Sequence, residues 1–292
     1  MKTNEGTMRI EGYDVWYRWV GTGATPLLVL HGGPGAGHDY MESLERLSTG
    51  RPVIFYDQLG CGKSAQPDEA SLWRIGRFVK EVGEVRQALK LDKVHLLGHS
   101  WGGWLAIDYM LTKPQGVISL TLASTSASVQ EFVTEASRLK MALPKEMREI
   151  MKRCESSGDF ENSEYEGAVM EFYRRHLCRL NPWPDSLMRS FHNLDGNAVY
   201  ATMNGPNEFM VTGNLKNWDR IARLGEITVP TLITVGRFDE IAPACSETLH
   251  RGIVGSELKV FEQSSHMAHL EQPDEYIQTL ADFLFGVEAS CG

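Results

Sequence analysis

Ser100 lies in Gly98-His99-Ser100-Trp101-Gly102-Gly103, after the apolar run Val94-His95-Leu96-Leu97 and before Trp104-Leu105-Ala106-Ile107. A serine boxed by glycines between a strand and a helix can hold strained backbone angles, because near-absent flanking side chains avoid a clash. Its hydroxyl then stands at the top of a sheet. The helix behind it aims backbone N–H groups and the positive end of its dipole at the same spot, where an oxyanion would form. This is equipment for nucleophilic attack on an acyl carbon. The same pentapeptide also serves as a plain turn, so a base, an acid and a second oxyanion donor must decide between the two readings.

All three are present, and in a telling order. Asp239 comes just past the strand-like run from Thr228 to Gly236, and His266 just past the last such run, Leu258-Lys259-Val260-Phe261. The order Ser100, Asp239, His266 is that of an α/β-hydrolase, in which the histidine, oriented by the acid, takes the serine proton. An oxyanion hole needs two N–H donors. Trp101, the residue after the nucleophile, supplies one, and Gly33, in the loop His31-Gly32-Gly33-Pro34-Gly35, supplies the other. Each of these residues follows a strand-like segment, where the groups of an open α/β sheet gather. His269 is a rival base. His266 and His269 lack an established metal-ligand spacing, so neither metal nor cofactor is expected. His31, His95 and His99 read as structural. Gly62-Lys63-Ser64 is no phosphate loop, because the first glycine of that motif would fall on Asp57.

The elements that must position these groups follow from periodicity. Met8 to Val20 reads as an edge hairpin around Gly12-Tyr13-Asp14, and Pro26–Leu30, Pro52–Tyr56 and Gly116–Ala123 as buried strands. Ile75, Phe78, Val79, Val82, Val85 and Leu89 recur at helical spacing and predict a helix within 72–89. From about Ser128 to Asn217 the pattern is helical, as in Phe132, Ala136 and Leu139, without a convincing buried strand. The expected architecture is an α/β-hydrolase fold: a mostly parallel sheet flanked by helices, its core formed by 1–127 and 218–292, with a helical cap at 128–217.

Composition bounds the rest. A chain of 292 residues that is 42% hydrophobic can bury a large core and still carry an insertion. The net charge of −9 argues against nucleic acid or an anionic membrane as partner. No run approaches the roughly 18 apolar residues of a membrane span, and no apolar stretch follows Lys2. Cys61, Cys154, Cys178, Cys245 and Cys291 are scattered and odd in number, as suits reduced thiols. A soluble cytoplasmic protein is expected.

Taken together, His31 to Gly35, Tyr56-Asp57-Gln58 with Gly60-Cys61-Gly62, Gly98 to Gly103, Gly205-Pro206-Asn207-Glu208-Phe209, Gly236 to Glu240 and Ser265-His266-Met267 resemble the proline iminopeptidase (prolyl aminopeptidase) family, the tricorn-interacting aminopeptidase among them. The resemblance spans nearly the whole chain. It implies removal of a single N-terminal residue, often proline, from short peptides. It also implies that Glu208, from the cap, and Glu240, beside the triad acid, bind the free α-amino group of the substrate. Leu59 stands where many members carry arginine, a difference expected to act on loop packing.

The expected chemistry is acyl transfer: Ser100 attacks the carbonyl of the first residue, Gly33 and Trp101 hold the oxyanion, and water hydrolyses the acyl-enzyme. Peptides, amides or esters with a free N-terminus would be substrates. Two other readings stay open: an esterase or amidase for small amine-bearing substrates, and a hydrolase-fold binding protein without turnover. His266 must be neutral to act as base, so kcat/KM should fall below about pH 6.5, and the substrate amine, with a pKa of about 8 or higher, must stay charged to bind, so the profile should be bell-shaped.

Overall fold

The computed structural model describes residues 2–23 and 25–291, the side chain of Cys291 excepted. Runs of continuous Val, Leu and Ile make the central strands. β3 (Leu27–Leu30), β4 (Val53–Tyr56), β5 (Val94–His99) and β7 (Thr231–Gly236) are buried along their whole length. Strands covered on both faces need this composition. With β1 (Thr3–Ile10), β2 (Tyr13–Val20), β6 (Val117–Ala123) and β8 (Glu257–Phe261) they form one sheet in the order β1-β2-β4-β3-β5-β6-β7-β8. β1 and β2 pair antiparallel, as do β2 and β4, and the remaining neighbours are parallel. The chain thus has the expected α/β-hydrolase architecture.

The hairpin differs in detail from its sequence reading. It starts at Thr3, and its turn is Glu11-Gly12 (φ 46° and 88°), with Ile10 opposite Tyr13. Two residues at positive φ give the turn twist that suits paired strands. The first helix, α1 (Ile75–Ala88), starts later than Leu72 because Trp73 and Arg74 are not helical and residues 70–72 form a separate 3-10 turn. Phe78, Val82 and Val85 are its buried stripe, and α1 packs on α2 (Trp101–Met110). α2 is buried on nearly every side except at Asp108, as its apolar sequence requires.

Between β6 and β7 run α3 (Val129–Lys140), α4 (Lys145–Ser157), α5 (Ser163–His176), α6 (Asp185–Leu194) and α7 (Ala198–Met203). The chain then returns to the sheet through a 3-10 stretch at Ile221–Glu226. α8 (Pro243–Gly252) connects β7 to β8, and α9 (Ala268–Glu271) and α10 (Pro273–Cys291) follow. α6 lies against a 3-10 stretch at Asp39–Thr49, where Arg189 pairs with Asp39 and Glu42 and Ser190 Oγ accepts the Tyr40 N–H.

Candidate active site

The loop His31–Gly35 and the turn at Ser100 meet where β3 and β5 end side by side, Leu30 being in register with Gly98. Ser100 sits at φ 56°, ψ −124°, a conformation that costs a non-glycine residue about 1–3 kcal/mol. Its surroundings impose it. The Ser100 N–H donates to the Ala123 carbonyl (2.9 Å), and the Ser100 carbonyl accepts from the Gly103 N–H (2.8 Å) and Thr125 Oγ1 (2.8 Å). A Cβ on Gly98 would overlap the Gly102 carbonyl, and one on Gly102 would overlap that of Leu30. The glycine box is therefore a packing requirement.

The second donor loop is equally constrained. Gly33 has φ 111°, and a Cβ there would lie 2.7 Å from the Ala36 nitrogen. Neither the Gly33 nor the Trp101 N–H has an acceptor among the described residues. Two networks hold this loop. His31 Nδ1 donates to the Gly32 carbonyl (2.9 Å), so its Nε2 is free to accept the Gln58 N–H (3.0 Å). Gln58 in turn donates to the His31 carbonyl and accepts from the Trp101 indole N–H (2.9 Å). The second network has one direction. His99 Nε2 faces the His266 carbonyl (3.0 Å), which can only accept, so His99 Nδ1 must accept from the Tyr40 hydroxyl (2.9 Å). The Tyr40 oxygen then accepts the Gly32 N–H (2.8 Å). Burial holds His31 and His99 below the usual histidine range, as these neutral roles require.

On the opposite wall, His266 Nδ1 lies 2.7 Å from Asp239 Oδ1, which also accepts the Ile241 N–H (2.9 Å). Gly236 allows the two loops to meet, since a Cβ on it would strike the Ser265 carbonyl. The carbonyl of His176, the last residue of α5, accepts the N–H groups of both Glu240 (3.0 Å) and His266 (3.2 Å). Glu240 Oε1 is 3.8 Å from His266 Nε2. Burial opposes the imidazolium, but Asp239, Glu240 and Glu208 outweigh it and hold His266 up to about 9. With His266 held up in this way, the acid limb in the free enzyme is expected above pH 6.5. Burial pushes Glu208 and Glu240 upward too.

Glu208 reaches the same site from beyond α7. Tyr200 donates to its Oε1 (2.7 Å), and Tyr173 Oη accepts its N–H (3.3 Å). A small cavity of about 30 Å³ joins Gly33, Ser100, His266 and Glu208. Leu187, Ser190, Phe191 and Leu194, one face of α6, line its other side. Asp239 and Glu240 join through His266, and Trp101 through its N–H at the start of α2. His269 is not the base. It is buried, with Nε2 on the Tyr40 carbonyl (3.0 Å), and burial lowers it to about 4. His95 lies on Ser119 and Glu288 at the far end of β5. Leu59 is buried, its N–H directed at Glu81.

Sequence reasoning missed Tyr40, Tyr173, Tyr200 and His176. The α6 face had a visible signal in its i, i+3, i+4, i+7 spacing. Among the described residues one group of donors could converge on a metal ion, His38, Asp39 and Glu42. His38 is bonded to Asp57, and the two acids are paired with Arg189, so ion pairing accounts for the cluster.

Residues 25–273 match the family model described as alpha/beta hydrolase fold. The chain is 44% identical over 262 residues to the proline iminopeptidase of Heyndrickxia coagulans, covering 90% of this chain and 91% of that one. It is 43% identical over 288 residues to the proline iminopeptidase of Saccharolobus solfataricus, covering 97% and 93%. The crystal structure of the proline iminopeptidase of Mycobacterium smegmatis superimposes with a TM-score of 0.93 at 36% identity, over 99% of this chain and 100% of that one.

Proposed function

The chain belongs to the α/β-hydrolase fold family and, within it, to the proline iminopeptidases, and from that premise we propose the working of a serine aminopeptidase that releases one N-terminal residue, proline or another small or apolar one, from short peptides. Ser100 is the nucleophile, His266 its base and Asp239 the group that orients the base. The Gly33 and Trp101 N–H groups receive the oxyanion. Glu208 and Glu240 bind the α-ammonium and so set the reacting carbonyl one residue from the N-terminus. Residues 128–217 act as the cap that brings Glu208 and the α6 face over the nucleophile. Short peptides, or amino-acid amides and esters with a free N-terminus, are the substrates, and the cytoplasm is the setting, a reading favoured by the buried free thiols of Cys61, Cys154, Cys178 and Cys245.

One observation carries this reading: two buried carboxylates from different parts of the chain flank the base of a serine site. Losing one partner of a charge-assisted hydrogen bond costs about 1.5–3 kcal/mol, so Glu208→Gln or Glu240→Gln should lower kcat/KM on a prolyl p-nitroanilide by roughly 10- to 150-fold. An acyl ester of the same size without the amine should not share that loss. Equal losses on both substrates would make the glutamates supports of the fold. Ser100→Ala should abolish turnover and fluorophosphonate labelling.

A further inference from the structure

For attack by Ser100, the nitrogen His266 must offer is Nε2, because Nδ1 is held by Asp239. That same Nε2 faces Glu240 Oε1 at 3.8 Å, and Glu240 Oε2 is buried without a hydrogen-bond partner among the described residues. Glu240 is 1% exposed. The charged and titratable groups around the imidazole come from five elements. Asp239 and Glu240 follow β7, and Glu208 follows α7. His99, at the end of β5, stacks edge-on at 4.7 Å, His269 belongs to α9, and the α5 terminus presents His176 through its carbonyl. His99, His176 and His269 are all held below the usual histidine range by burial, so they bring no positive charge. No lysine or arginine lines the cavity.

Burial pushes Glu240 and Glu208 upward, and a proton on His266 offsets that, so the three groups settle as carboxylates around an imidazolium, which is the wrong form for a general base. We propose that the α-ammonium of the substrate is a trigger as well as an anchor: by pairing with Glu240 and Glu208 it takes over the charge that held a proton on Nε2. The proposal rests on the reading of those two glutamates as the amine site. The displaced proton leaves to solvent. The neutral Nε2 then accepts the Ser100 Oγ proton as Oγ bonds to the carbonyl carbon and the π pair moves to the oxygen. When the tetrahedral intermediate collapses, the C–N bond breaks and that proton passes to the leaving nitrogen. A base held up to about 9 is mostly protonated at pH 7, with a small neutral resting population. A substrate without an amine meets that resting population, so selection for a free N-terminus is exerted on the chemical step in addition to binding.

The test compares an uncharged fluorophosphonate, which reacts with Ser100 but brings no amine, with a prolyl p-nitroanilide. In the wild type the inactivation rate should climb until about pH 9, whereas kcat on the prolyl substrate levels off at least about one pH unit lower. In Glu240→Gln the limb for inactivation should move down, speeding inactivation at pH 7 by about tenfold per unit moved, while kcat/KM on the prolyl substrate falls. Glu208→Gln should act in the same sense and more weakly. An inactivation limb that stays put in Glu240→Gln, with the prolyl substrate lost, overturns the trigger and leaves the amine site standing. Prolyl activity retained in both variants overturns the amine site and the trigger with it. If Glu240→Gln fails to fold, the two wild-type limbs decide alone, and coincident limbs overturn the trigger.

Discussion

Tyr40 carries two hydrogen bonds through one oxygen, and that economy makes it sensitive. It accepts the Gly32 N–H and donates to His99, whose other nitrogen holds the carbonyl of His266. The oxyanion loop and the base are thereby tied by a chain with a single polarity. Tyr40→Phe leaves a buried N–H unsatisfied, a loss of about 1–3 kcal/mol, and should lower kcat by roughly 5- to 150-fold with KM within about threefold. A prolyl aldehyde that mimics the tetrahedral intermediate should lose affinity by the same factor. Loss of stability without that parallel loss would show that Tyr40 serves the fold alone. None of this was legible in the sequence. Ser100, Asp239 and His266 stand out because glycines or strand ends announce them, whereas Tyr40 and His99 are 59 residues apart and share no pattern. Glu208 was visible only through family likeness, because its place depends on a short helix and two tyrosines that no periodicity connects to it.

Among the elements, the short α7 is the one that places Tyr200 against Glu208. Asn197 caps it, its Oδ1 accepting the Val199 and Tyr200 N–H groups (2.9 and 3.0 Å), and its Nδ2 donates to the Gly60 carbonyl (2.9 Å). Tyr200 then holds Glu208. Asn197→Ala should cost about 1–2 kcal/mol in urea unfolding. It should also raise KM on a prolyl substrate more than it lowers kcat, because the amine site loosens while Ser100 and His266 are untouched. The buried strands and α1 were readable because each has one period and a clear boundary. The segment from Asp39 to Thr49 was not: Met41, Leu44 and Leu47 are buried at a spacing of three, which suits a 3-10 stretch and fits neither the helix nor the strand template. α8 and α10 were absent from the sequence reading, although Tyr276, Leu280, Phe283, Leu284 and Val287 give α10 a regular buried stripe.

At the scale of the whole molecule, the buried titratable groups oppose one another. His266, held up to about 9 against about 6.5 when unfolded, contributes stability that is fully present below pH 6.5 and lost as pH rises to 9, on the order of 3 kcal/mol. Burial holds Glu81 up to about 7, so its contribution is likewise lost as pH rises from about 4.5 to 7. His269, lowered to about 4, works in the other direction, and its contribution is lost as pH falls from about 6.5. Urea unfolding midpoints should therefore be lower at pH 9.5 than at pH 7, and His266→Gln should shrink that difference. A variant that keeps the full difference would place its origin elsewhere.

Ser100 is only 7% exposed, and α6, with the residues just after α5 and α7, forms much of the wall around it. On the proposed function the scissile carbonyl lies one residue from a free N-terminus, so it reaches Ser100 best at the tip of a slack, unstructured tail. The native state of any neighbouring protein is then its own protection, since an N-terminus that is packed into a domain cannot be threaded inward. Folded proteins are therefore expected to be poor substrates for such a site.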